Sequence, residues 1–445
     1  AFALNDRVRE QIKRMLPFRP TPAQKRVLGE IARDMASASP MSRLLQGDVG
    51  SGKTIVAAQA GVIAVENGYQ AAVLAPTEIL ATQHYLNLKK VFEPLSYQVV
   101  PLTGSMTRKE KDLAKRAAAA GLAQVVVGTH ALLEEDVEFQ KLGLAIIDEQ
   151  HRFGVLQRKA LMQKGVTPDV LVMTATPIPR TLALTIYGDL DASVIDELPP
   201  GRKAIQTAHK TKLELEQVYS FILREVRAGR QAYIVYPAIE ENEAQSVRAA
   251  QAAYQELSKE VFPQLRVGLL HGKLKPDEKE AVMSAFQRGE VQVLVSTTVI
   301  EVGVDVPNAT VMVVENAERF GLAQIHQLRG RVGRGAAQSY CILVTDKLSE
   351  AGKERIRTLV DSNDGFYISE MDLKLRGPGE FLGTKQSGLP AFRIGNLLRD
   401  REILEAARAE AQSFVEHPPA AEDLERAVRY VREHWQRRYG LALIG

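Results

Sequence analysis

The chain has 445 residues, enough for about three domains that each bury a core. With 45% hydrophobic and 25% charged residues it has the composition of an ordinary globular protein, and it has neither an apolar run long enough to span a bilayer nor a secretory-leader profile at its start. A net charge of +3 neither demands nor excludes nucleic acid, and the single cysteine, Cys341, excludes an internal disulfide and fits a reducing cytoplasm.

Cys341 stands in an apolar run and reads as buried filler, and the histidines show no metal-ligand spacing. The first residue is Ala1 rather than Met, which marks a fragment or a processed form. Residues 1–40 read as helices flanking a proline-rich turn at 17–22. A short strand at 41–46 and a helix at 55–64 follow, and between them lies Gly47-Asp48-Val49-Gly50-Ser51-Gly52-Lys53-Thr54. This is Gly, four residues, then Gly-Lys-Thr, in the strand–loop–helix setting of a phosphate-binding loop. The glycines let successive backbone N–H groups turn inward onto phosphate oxygens. Lys53 adds a point charge at the terminal phosphates, and the Thr54 hydroxyl suits Mg2+. The segment predicts binding and hydrolysis of a nucleoside triphosphate.

From there to about residue 200, strands near 71–74, 97–100, 124–127, 144–147 and 170–173 alternate with helical patterns. Alternation of this kind predicts a parallel sheet with helices on both faces. The fourth strand ends in Asp148-Glu149, and an apolar strand delivers carboxylates at its C-terminal end beside the phosphate loop. Asp148 then suits Mg2+, and Glu149 the orientation and deprotonation of the attacking water. Leu198-Pro199-Pro200-Gly201 punctuates the chain as a linker. A second α/β set has strands near 232–236, 265–270, 291–296, 310–314 and 339–344 and no phosphate loop. Its segment Gln327-Leu328-Arg329-Gly330-Arg331-Val332-Gly333-Arg334 spaces three arginines with glycines. Arg331 and Arg334 are placed to reach a nucleotide across the cleft between lobes, adding positive charge at the γ-phosphoryl group. Residues 350–362 read as a helix, 376–388 as a Gly-rich stretch, and the tail as two amphipathic helices split by Pro418-Pro419. In the second of these, Leu424, Val428, Val431 and Trp435 recur at helical spacing and predict a packing face.

In this order the motifs resemble those of superfamily two helicases and translocases over essentially the whole chain. Phe18, Thr21 and Gln24 look like the adenine-reading segment that precedes the phosphate loop. Pro76-Thr77, Thr103-Gly104 and Thr129-His130 resemble first-lobe DNA contacts, and Thr174-Ala175-Thr176 the segment coupling the lobes. Tyr236, His271, Thr297 and Thr298 match second-lobe DNA motifs, with Gly303 and Asp305 at the nucleotide and Gln327 in the arginine motif. Small hydroxyls and glycines suit phosphate-backbone contact without base readout.

The run Asp148-Glu149-Gln150-His151-Arg152-Phe153-Gly154-Val155 and the stretch from Arg376 through Gln386 to Gly388 narrow the resemblance to the RecG family of branched-DNA translocases. The resemblance implies two tandem RecA-like P-loop lobes at 1–200 and 201–350, followed by a mostly helical translocation region at 351–445. It implies ATP and Mg2+, with Arg376 and Gln386 coupling hydrolysis to movement on duplex DNA, and Gln150 and His151 joining the DNA or coupling set. It also implies double-stranded and branched DNA as partners, single-stranded-DNA-binding protein as a further one, no membrane, a monomer, and a bacterial cytoplasmic, nucleoid-associated location. Remodelling of stalled forks and Holliday junctions is the implied role. An Mfd-like transcription-coupled translocase, an RNA helicase and a non-hydrolysing scaffold are the alternatives. Family members carry a junction-gripping wedge N-terminal to these motifs, so the resemblance implies that junction selectivity sits outside the residues present.

Overall fold

The computed structural model describes residues 1–16, 18–148, 160–165, 167–174, 190–201, 203–237, 243–298, 306–376, 399–431 and 433. Two compact units emerge, one made of Ala1–Pro177 with Asp191–Ile368, the other of Ile178–Leu190 with Ser369–Gly445.

The first unit holds both α/β lobes. Helices α1 (Asp6–Arg14) and α2 (Pro22–Met35) precede a seven-stranded parallel sheet. Its strands are β1 (Ser42–Gly47), β2 (Gln70–Leu74), β3 (Val99–Leu102), β4 (Val125–Gly128), β5 (Leu142–Asp148), β6 (Asp169–Thr174) and β7 (Asp191–Ile195), in the order β3-β4-β2-β5-β6-β1-β7. Parallel strands need crossovers, supplied here by α3 (Lys53–Glu66), α4 (Glu78–Phe92) and α5 (Arg108–Ala119). Alternate residues of each strand point to opposite faces. Ala71, Val73, Val125, Val127, Leu144, Ile146, Leu171 and Met173 thus share one core with α1 to α3, while Leu74, Val126, Ile147 and Val172 are buried on the other face.

The second lobe repeats the scheme in a six-stranded parallel sheet, order β10-β11-β9-β12-β13-β8. Its strands are β8 (Gln206–Thr211), β9 (Gln231–Val235), β10 (Val267–Leu270), β11 (Val293–Ser296), β12 (Ala309–Val314) and β13 (Tyr340–Thr345). Helices α6 (Leu215–Arg227), α7 (Glu243–Glu256), α8 (Pro276–Gln287) and α9 (Leu322–Arg329) connect them, and α10 (Glu350–Asp361) follows β13. Val218 and Ile222 of α6 pack on Ala232, Ile234, Val293, Val295, Val311 and Val313. Cys341 is buried in β13, and burial pushes its thiol up to about 12, so it packs rather than reacts.

The chain passes into the second unit along α11 (Gly365–Arg376). That unit also holds α12 (Arg401–Glu416) and α13 (Ala421–Val431), and Arg408 of α12 donates to the Leu190 carbonyl at 2.9 Å. Of the apolar stripe expected to pack, Leu424 is half-buried while Val428 and Val431 are 40% and 49% exposed, and Trp435 lies outside the described residues.

Candidate functional site: a nucleotide cleft between two lobes

The phosphate loop and the described first-lobe motifs after it fall at the carboxyl edge of the sheet, where open α/β sheets bind ligands. The phosphate loop follows β1, Pro76-Thr77 follows β2, Thr103-Gly104 follows β3 and Thr129-His130 follows β4, while Asp148 and Thr174 end β5 and β6. In the second lobe Tyr236 follows β9, His271 follows β10, and Thr297-Thr298 follows β11. Glu149, Gln150, His151, Thr176, Gly303, Asp305 and Gln386 lie outside the described residues.

The loop has the backbone its glycines allow. Gly50 and Gly52 have φ of 79° and 93°, in the left-handed region that favours glycine. A methyl on Gly52 would also stand 2.2 Å from Gln24 Nε2. Gln24 is buried; its Oε1 accepts from Thr21 N in a capping box, and its Nε2 donates to the Ser51 carbonyl at 2.8 Å. The segment expected to read adenine is thereby fastened to the phosphate loop, and its Phe18 stands exposed. Lys53 opens α3, and its Nζ donates to the carbonyls of Gly47 (2.7 Å) and Asp48 (2.9 Å), which holds the ammonium in the mouth of the loop. Thr54 follows in the first helical turn, and the buried Ser51 Oγ has no protein partner.

Two histidines that sequence reading passed over hold the acidic residues of this edge. His84, buried in α4, bonds Asp148 Oδ2 through Nε2 at 2.7 Å. His326, buried in α9 of the second lobe, bonds Asp48 Oδ1 at 2.7 Å. Burial works against the Asp48 charge, yet the hydrogen bonds from His326 and Val49 N–H leave its pKa below the ordinary carboxylate value. No spacing rule singles out either histidine. The only signal was that His326 abuts Gln327 in the arginine motif.

The three arginines of that motif separate. Arg329 is 2% exposed and donates to the carbonyls of Leu359 (3.0 Å) and Ser362 (2.8 Å), so it is a bracket on the end of α10. Arg331 is buried at 9% exposure, and Arg334 is half-buried with Nε on the Gly330 carbonyl. Gly330 itself lies against the phosphate loop: a Cβ there would stand 2.8 Å from Val49 Cβ and Cγ2.

Of the expected DNA contacts, Gly104 and His130 are exposed and Pro76, Thr77 and Thr298 partly so. Thr77 caps α4, and the neighbouring Glu78 accepts from Ser105 N at 2.7 Å. Thr103, Thr129, Thr174, His271 and Thr297 are buried, the Thr129 hydroxyl without a protein partner. Burial lowers the pKa of His271 and raises that of the Tyr236 hydroxyl. Arg376 is the last residue of α11.

Two parallel-sheet lobes, a phosphate loop on one and an arginine turn of the other set against it, define the core of a P-loop helicase. Residues 21–185 match the DEAD/DEAH box helicase family, 214–336 the helicase conserved C-terminal domain, and 362–440 the C-terminal part of domain 3 of the ATP-dependent DNA helicase RecG. Over nearly all of its length the chain is similar to RecG helicases. It is 55% identical over 95% of its length to the ATP-dependent DNA helicase RecG of Synechocystis, of which it covers 51%. It is 51% identical over 94% to that of Escherichia coli K12, of which it covers 61%. It thus spans between about half and three fifths of these curated relatives. A solved structure of RecG bound to a three-way DNA junction superposes with a TM-score of 0.77 at 50% identity, over 91% of this chain and 53% of that one. Mss116p bound to single-stranded RNA and AMP-PNP, 18% identical with a TM-score of 0.60 over 81% of this chain and 75% of its own, shares the fold.

Proposed function

We propose that this chain is the motor of an ATP-dependent double-stranded-DNA translocase that remodels branched DNA such as stalled forks and Holliday junctions. The observation that carries the reading is the approach of Gly330 and His326 to Val49 and Asp48, which brings the turn bearing Arg331 and Arg334 to the phosphate loop. The relative solved on a three-way junction supports the choice of branched DNA over RNA.

In this reading Lys53 and the loop N–H groups bind the terminal phosphates, and Gln24 and Phe18 lie at the base. Thr54 and Asp148 offer the hydroxyl and carboxylate oxygens that suit Mg2+. Thr54 and Asp148 would hold the ion together with the nucleotide, since the described residues include no group of three His, Cys, Asp or Glu able to hold one by themselves. When bound, Mg2+ neutralises charge on the phosphates. Glu149 takes a proton from the attacking water as its oxygen bonds to the γ-phosphorus and the bond to the bridging oxygen breaks. Arg331 and Arg334 add positive charge to the transferring group, Gly303 and Asp305 serve the nucleotide, and Gln327 belongs to the DNA-binding or coupling set. Pro76, Thr77, Gly104, His130 and Thr298 meet DNA phosphates. The buried Thr103, Thr129, Thr174, His271 and Thr297 shape the turns behind them, and Gln150, His151, Thr176, Tyr236, Arg376 and Gln386 couple hydrolysis to movement. The family resemblance alone supports a monomer, nucleoid association and single-stranded-DNA-binding protein as a partner. Among the described residues no helix is long and apolar enough to cross a membrane.

The test is phosphate release with forked DNA, linear duplex, single strands and RNA. Duplex-dependent turnover that disappears in Lys53→Ala and Glu149→Gln, with ATP binding kept in the latter, is expected. Turnover stimulated by RNA alone, or surviving Lys53→Ala, would sink the assignment.

A further inference from the structure

His326 of the second lobe hydrogen-bonds the phosphate loop at Asp48. Its two ring nitrogens have different jobs. Nδ1 faces Arg329 Nη2 at 2.9 Å, and a guanidinium only donates, so Nδ1 accepts and is bare. The ring proton then sits on Nε2 and points at Asp48 Oδ1, 2.7 Å away. A ring already donating through Nε2 and accepting through Nδ1 has no lone pair left for a water, which removes it as a general base. Arg329 is itself fixed by the Leu359 and Ser362 carbonyls. The line Ser362–Arg329–His326–Asp48 thus runs from the end of α10 to the phosphate loop, every link a hydrogen bond. Four residues along from His326, the missing side chain of Gly330 leaves the space that Val49 occupies.

We propose that His326 is an interlobe latch, whose Nε2–H bond to Asp48 forms when the second lobe closes on the phosphate loop and holds Arg331 and Arg334 in register with the transferring phosphoryl group. The proposal rests on the motor reading above. His326 is a positioning residue: it acts through the arginines and touches no reacting atom. Asp48 is its receptor, and Gly330 is the steric half of the same contact.

The test uses the full chain with duplex DNA, measuring steady-state hydrolysis across ATP concentrations and the affinity for a non-hydrolysable ATP analogue. A hydrogen bond to a charged group that forms only on closure predicts that H326A lowers kcat roughly 10- to 100-fold, with analogue affinity changed less than about threefold. H326Q restores kcat to within about threefold, because an amide of similar reach both donates and accepts. The double variant D48A/H326A is no slower than the slower single variant. Full kcat in H326A, equal loss in H326Q and H326A, or multiplying effects of D48A and H326A would each overturn the latch. If H326A does not fold, Gly330→Ala takes its place: the methyl against Val49 must lower kcat with the same split, and full kcat refutes the proposal. An inactive wild-type chain refutes the motor reading and the latch with it; an active wild type beside an equally active H326A refutes the latch alone.

Discussion

Replacing Arg329 by alanine probes whether three arginines within six residues do different work. Arg329 is 2% exposed, and its guanidinium supplies hydrogen bonds to the carbonyls of Leu359 and Ser362 and to His326 Nδ1. Truncation leaves one buried carbonyl, one half-buried carbonyl and a ring nitrogen without their donor and opens a cavity where a large side chain stood. A buried group stripped of its partner costs about 1–3 kcal/mol, so with the cavity the loss is ~3–5 kcal/mol. For a lobe of this size each kcal/mol moves the melting temperature by roughly 2–4 °C, so Tm falls by about 10 °C. Arg331→Ala and Arg334→Ala, which leave that bracket intact, lower Tm by less than Arg329→Ala does. Calorimetric or circular-dichroism melts of the three variants decide the matter. An Arg329→Ala protein with unchanged Tm and lost turnover would refute the reasoning, since Arg329 would then serve the nucleotide in the way proposed for its neighbours.

Arg331→Ala and Arg334→Ala should each lower ATP turnover by roughly 10³-fold with a smaller change in ATP affinity. Normal turnover with weakened DNA binding would make them backbone contacts. Arg376→Ala and Gln386→Ala should keep part of the DNA-stimulated ATPase while losing strand displacement, read on a forked substrate, whereas parallel loss of both activities counts against coupling. Asp169 at the start of β6 accepts from Met41 N at 2.7 Å, but its Oδ2 is buried without a partner, and burial raises its pKa from 3.8 to about 6. Its folded pKa is above its unfolded one, so the stability it leaves intact below pH ~4 is lost as pH rises through about 6. Asp169→Asn should therefore melt about 1–3 kcal/mol more stably than wild type at pH 8 and no more stably at pH 3.5, and a gap independent of pH would contradict this. The phosphate contacts inferred for residues 1–445 are the same on every duplex, so this chain should prefer a three-way junction to an equal-length linear duplex less than about tenfold, with steep loss of both on added salt. A larger preference in competition binding would put branch recognition within these residues.

Most of the architecture was legible because buried parallel strands are runs of Val, Ile, Leu and Ala between helical patterns, as in Ala71–Leu74 and Thr310–Val314. What escaped were the strands lacking that signature. β7, Asp-Ala-Ser-Val-Ile, and β8, Gln-Thr-Ala-His-Lys-Thr, are edge strands, and β8 has no buried residue, so neither carries an apolar run. The phosphate loop was legible to the residue, since Gly50, Gly52 and Lys53 have conformations or positions no other residue type would serve as well. The roles of Arg329, His84 and His326 were not. Each is fixed by a partner between 30 and 278 positions away, and spacing along the chain carries no trace of such a bond.

The two edge strands also bracket the linker at 196–205, and this has a mechanical meaning. Whatever load the lobes exchange through their covalent connection enters each sheet at its rim. On the first-lobe side that rim is β7, laid in parallel register along β1 from Arg43↔Asp191 to Gly47↔Ile195. Asp196, just beyond it, is gripped by Arg26, and Glu197 accepts from Ala23 N, so the strain path is braced against α2 before it reaches the ladder. A pull along the strand axis strains all the rungs of a parallel ladder together, whereas a pull across it parts them one at a time. A pull on the linker along the strand axis would therefore meet the whole β7–β1 ladder at once before it reached the strand that feeds the phosphate loop.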